Sequence, residues 1–133
     1  MAGVIEEIEK YILWLDQNSK STDLTAISIT IGKMSTQCFY FTKIVSDAYD
    51  TQNRLEDDFK EQKALFIKNY EGGVTKANAI VDSEPRVREA KRNWTEANNV
   101  YMRLKNYAHQ FETILDCKRQ FISVEKSLNV KGI

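Results

Sequence analysis

The chain has 133 residues, with equal numbers of Lys/Arg and Asp/Glu, 42% hydrophobic and 29% charged side chains, one proline and five glycines. That is one domain's worth of chain with enough apolar residues for a core, and it holds too few turn formers for an all-β protein. No stretch approaches the roughly 18 unbroken apolar residues of a membrane span, and the start (Met1-Ala2-Gly3-Val4-Ile5-Glu6-Glu7) lacks the basic, then apolar, pattern of a signal peptide.

A cytoplasmic protein without membrane association is therefore expected, with Cys38 and Cys117 reduced and acting as small hydrophobes. The zero net charge conceals a split. Residues 1–59 carry five Lys/Arg against ten Asp/Glu, and residues 60–133 carry fourteen against nine. Such asymmetry fits a half suited to polyanions, and it equally fits opposite halves attracting one another within or between subunits.

In chain order, residues 2–17 place Val4, Ile5, Ile8, Ile12 and Leu15 at helical spacing, which predicts a short amphipathic helix. Asn18-Ser19-Lys20-Ser21 breaks it, and Asp23 is placed to cap the next. From Leu24 apolar residues recur at alternating steps of three and four: Ile27, Ile31, Met34, Cys38, Phe41, Val45, Ala48, Leu55, Phe59 and Phe66, with Gln52 and Gln62 as the polar interruptions. This is coiled-coil spacing, and it predicts a helix over residues 24–70, about 70 Å long at 1.5 Å per residue. Thr25, Ile27, Ile29 and Ile31 have strand propensity, but the seam runs through them in helical phase.

Glu71-Gly72-Gly73 stops that helix, and residues 71–83 read as the connection, with one loose turn within Val74 to Val81. Ser83 is the expected N-cap of a last helix over 84–128, with Pro85 in its first turn. Its seam is Val87, Ala90, Trp94, Ala97, Tyr101, Leu104, Ala108, Phe111, Leu115, Lys118 and Ile122. Two helices of matched length with a short connection fold back on each other, because neither buries its stripe alone. The predicted fold is all-α: a single helical domain, 1–133, with a short N-terminal helix and a long antiparallel two-helix coiled-coil hairpin, assembled into an oligomeric helical bundle. Pairing about residue 77 sets Cys38 level with residue 116 and lets large residues face small ones across the seam, Trp94 and Tyr101 alternating with Ala90, Ala97 and Ala108. The last helix also carries a second stripe that one partner cannot cover, so Val100, Tyr107, Ile114, Phe121, Val124 and Leu128 are the expected oligomer interface, with Cys117 alongside them.

Nothing in the sequence assembles a catalytic or metal site. His109 is the one histidine, no Cys or Asp stands at i±4 from it, and Glu71-Gly72-Gly73 lacks the Gly-Lys-Ser/Thr of a phosphate loop. No enzyme, cofactor, metal or small-molecule substrate is expected. The basic residues are the stronger signal: Lys60, Lys63 and Lys68 precede the connection, Lys76 lies in it, and Arg86, Arg88, Lys91 and Arg92 follow it. A hairpin gathers these eight at its turn end, with Tyr70 and Trp94 close by, as phosphate binding and base stacking require. Glu61, Glu71, Asp82, Glu84 and Glu89 dilute them, and a solvated, ion-paired helix surface is the plainer reading.

The stretch Gln62-Lys63-Ala64-Leu65-Phe66-Ile67-Lys68-Asn69-Tyr70-Glu71-Gly72, followed by Ala79-Ile80-Val81-Asp82-Ser83-Glu84-Pro85-Arg86-Val87 and the long last helix, resembles phage recombination mediators of the UvsY type over residues 24–128. The resemblance lies in architecture and scattered residues. It implies a phage-encoded, homo-oligomeric protein of the host cytoplasm that binds single-stranded DNA. Such a protein helps load a recombinase onto strands coated by a single-strand-binding protein in DNA recombination. It also implies that Lys60, Lys63 and Lys68 touch the DNA. The chain departs from the family in its acidic first half and in the bulky Leu65-Phe66-Ile67. The competing expectation is a coiled-coil interaction module, whether scaffold, assembly chaperone or inhibitor of a host protein, whose apolar stripe meets a partner helix instead of nucleic acid.

Overall fold

The structure is a computed structural model that describes residues 2–131. Four α-helices and one short 3₁₀ turn follow in order: α1 (Ala2–Gln17), α2 (Leu24–Asn69), α3 (Val74–Ile80), the 3₁₀ turn Val81–Ser83, and α4 (Pro85–Lys131). Among the described residues there is no strand, so the helical phase prevails over the β-branched residues at 25–31. No helix there is long and apolar enough to cross a membrane.

The chain gathers into two compact units. One takes the residues through Val45 together with those from Lys105 onward; the other is Ser46–Leu104. In the first unit α1, the opening half of α2 and the closing half of α4 share a core. Ile8 and Leu15 of α1, Ile27, Ile31, Met34, Cys38 and Phe41 of α2, and Phe111, Leu115 and Ile122 of α4 are all buried. Burying a side chain of this size is worth about 1.5–3 kcal/mol, which holds a helix as short as α1 that would be marginal alone. Phe41 meets Phe111 edge-on at 5.7 Å, and Arg119 donates to Ser35 Oγ at 2.8 Å. These contacts set α2 and α4 antiparallel in the register expected from pairing about residue 77. Lys118 at the inner side of α4 pairs with Asp16 and ties α1 down.

Local chemistry explains the ends of these helices. Asn18 Nδ2 donates to the Trp14 carbonyl at 2.8 Å, closing α1, and the Ala26 amide donates to Asp23 Oδ1 at 3.0 Å, the N-cap expected for α2. Both cysteines are free; Cys38 is buried and Cys117 exposed. Burial is the main cause pushing the Cys38 thiol up, with Glu112 adding to it and Arg119 opposing.

In the second unit α2 and α4 again pack, joined by α3 and the 3₁₀ turn. Three details differ from expectation. The connection is a seven-residue helix instead of a loose turn, because Ala77 and Val81 are buried to 0% and 1% exposure and so anchor it. The N-cap position of α4 is Glu84; Ser83 donates its hydroxyl back to the Ile80 carbonyl at 2.6 Å, and Pro85 takes the first helical position. Large residues meet large ones across this seam: Phe59 stacks on Trp94 at 5.6 Å with 19° between the rings, and Tyr49 meets Tyr101 at 5.2 Å. Gln52, the polar break in the seam, is buried and accepts a 2.9 Å hydrogen bond from the Trp94 indole.

Candidate nucleic-acid interface

All eight basic residues singled out in the sequence lie in the second unit. Lys60, Lys68, Lys76, Arg86, Arg88, Lys91 and Arg92 are exposed, and Lys63 is half-buried. They divide into two groups by their partners. Lys60 pairs with Glu56 at 2.9 Å, one helical turn back, and this contact raises its pKa. Arg92 reaches Glu89 at 3.9 Å, and Lys63 lies over the Phe59 ring at 6.0 Å. Lys68, Lys76, Arg86, Arg88 and Lys91 make no ion pair among the described residues. Lys68 stands in the last turn of α2, Lys76 in α3, and Arg86, Arg88 and Lys91 in the first two turns of α4.

Folding changes the charge pattern that the linear sequence displays. Antiparallel pairing of the acidic and basic halves leaves Ser46–Leu104 with ten Lys/Arg and eleven Asp/Glu. Within this unit a positive excess survives around the turn, where residues 60–92 hold eight Lys/Arg against five Asp/Glu. Of the net +5 that residues 60–133 carry, +3 therefore lies in this turn segment and +2 in the rest of α4 and the residues after it.

The turn has its own stereochemistry. Gly73 adopts φ 95°, a left-handed conformation that a side chain disfavours. Beside it, a Cβ on Gly72 would stand 2.5 Å from Tyr70 Cε1, so the missing side chain lets the tyrosine ring lie against the backbone. Tyr70 also meets Phe66 at 5.5 Å. Between these rings and the start of α4 is a cleft of about 320 Å3 lined by Gln62, Leu65, Phe66, Asn69, Tyr70, Glu84, Arg86 and Val87. A shallower depression is bounded by Pro85, Arg88, Glu89 and Arg92. Sequence reasoning found the cations but missed the cleft, which needs the α3 helix to bring α4's first residues against α2's last.

The six apolar residues assigned to an interface do not share one environment. Val100 belongs to the second unit and is exposed. In the first unit Tyr107 is half-buried and stacks on Phe111 at 5.8 Å. Ile114 and Phe121, with Cys117, line a largely apolar cavity of about 370 Å3 together with Ile12 and Leu15 of α1 and Ile27 and Ile31 of α2, and Asp16, Asn18, Ser19, Thr113 and Lys118 complete its lining. Val124 and Leu128 remain more than half exposed.

Among the described residues no group of three His, Cys, Asp or Glu side chains is placed to hold a metal ion. No protein-family model, curated protein or solved structure matches the chain.

Proposed function

We propose that the protein is an oligomeric accessory factor that binds single-stranded DNA at the turn end of its second unit, in the manner of a phage recombination mediator that helps load a recombinase. The observation supporting this reading is the local excess of exposed cations lacking acidic partners: Lys68, Lys76, Arg86, Arg88 and Lys91, with Lys60, Lys63 and Arg92 alongside. Cations held by an internal carboxylate have already exchanged their counterions for a protein charge, whereas unpaired ones release them to a phosphate backbone. Tyr70 beside the patch offers a stacking surface of the kind that single-strand binders use without sequence readout.

Self-association rests on the first unit. Val124 and Leu128 of α4, Leu13 of α1, and Ile29, Phe39 and Tyr40 of α2 are all more than half exposed, an amount of large apolar surface that calls for a cover. The second reading, a helix-binding interaction module, draws on the same surface and on the apolar cavity between α1, α2 and α4 of that unit. Light scattering with and without single-stranded oligonucleotide separates the two. The DNA-binding reading expects a multimer whose mass rises by whole oligonucleotides; a monomer or dimer unchanged by DNA favours the interaction module.

A further inference from the structure

The cleft at the end of α2 has a lining that simple phosphate neutralisation does not require. Its floor is Val87, which is 1% exposed, and one side is the tilted pair Phe66 and Tyr70. The lining also carries two carboxamides, Gln62 and Asn69, the Glu84 carboxylate, and the guanidinium of the exposed Arg86. Its volume of about 320 Å3 falls in the size class of small-ligand clefts. An aromatic wall, hydrogen-bonding groups and one cation at the mouth match the three parts of a nucleotide: base face, base edge and phosphate.

We infer that this cleft takes one unstacked nucleobase of a bound single strand, with Tyr70 as the stacking face and Arg86 on the adjoining phosphate. The inference rests on the single-strand-binding reading above and assigns it a point of base contact. Glu84 also gives the cleft a preference. A carboxylate only accepts hydrogen bonds, so it favours a base edge that presents an exocyclic amino group, as cytosine does. Thymine places its lone ring N–H between two carbonyls that the carboxylate repels. Gly72 acts as a positioning residue, since a Cβ there would collide with the Tyr70 ring.

The test uses the full chain and single strands of equal length: oligo-dC, oligo-dT, and oligo-dC carrying one 2-aminopurine. The expected results are tighter binding of oligo-dC than oligo-dT and a change in 2-aminopurine emission on binding. Tyr70→Ala should weaken oligo-dC binding roughly tenfold or more while Tyr70→Phe retains it, as removal of one stacking contact predicts. Glu84→Gln should narrow the gap between the two homopolymers. Circular dichroism of each variant establishes that the helices are intact. Equal affinity for both strands, silent 2-aminopurine and an unaffected Tyr70→Ala would overturn the base cleft and leave backbone binding standing. Absence of binding to either strand by the wild-type chain would remove both readings together.

Discussion

Two residues in the second unit carry more than their sequence context shows. Gly73 is the described residue with positive φ, at 95°, and it stands immediately before α3. Gly73→Ala should therefore lower stability by about 1–2 kcal/mol in chemical denaturation, the usual cost of forcing a side chain into that region. Gln52 looked like a defect in the apolar seam, yet its side chain accepts the Trp94 indole proton while its own amide donates to Asn53 Oδ1 at 2.7 Å. Gln52→Leu should cost about 1–2 kcal/mol by stranding the indole N–H. The double variant Gln52→Leu/Trp94→Phe should cost less than the two single changes combined, because neither partner is then left unmatched. Additive losses in that cycle would show that the bond contributes nothing. The sequence placed Gln52 on the buried face correctly, but no local pattern reveals which residue, 42 positions away, completes its hydrogen bond.

At the scale of elements, the longest regularities were the most legible. Alternating steps of three and four marked the inner faces of α2 and α4, and every residue of both predicted seams lies buried or half-buried, the interrupting Gln52 and Gln62 included. The bounds of α1 and the start of α2 also follow from residues in place: Leu15 as the last apolar position, Asn18 as a terminator, Asp23 as a cap. What escaped was α3. A seven-residue helix has no stability of its own, so its signal is tertiary: Ala77 and Val81 are buried only in the folded unit. The same cause reassigned the cap of α4, since Ser83 is drawn to the end of the 3₁₀ turn. For α1 the packing makes a quantitative expectation. Ile8 is fully buried, and Ile8→Ala should destabilise the first unit by about 2–4 kcal/mol. Its thiols report the change: exposed Cys117 reacts with an aromatic disulfide at once in both proteins, while buried Cys38, its pKa raised mainly by burial, reacts faster in the variant. Equal Cys38 rates would show that α1 does not guard that core.

For the molecule as a whole, charge is where the linear sequence and the folded chain part company. A reader of the sequence sees an acidic half and a basic half; each folded unit draws on both and comes out nearly neutral, with nine Lys/Arg against eight Asp/Glu in the first and ten against eleven in the second. What remains is a small positive district around the turn, built from α2, α3 and α4, with an aromatic cleft beside it. Binding along that district is the central claim, and it is tested most directly by anisotropy of a labelled single strand across a salt series. The account predicts that the logarithm of affinity falls linearly with the logarithm of salt, by about 0.7 per phosphate contacted, and that Lys68→Ala or Arg88→Ala each reduces the slope by about that amount. A strand that stays unbound at about 50 mM salt, or affinity indifferent to salt and to both substitutions, would contradict it.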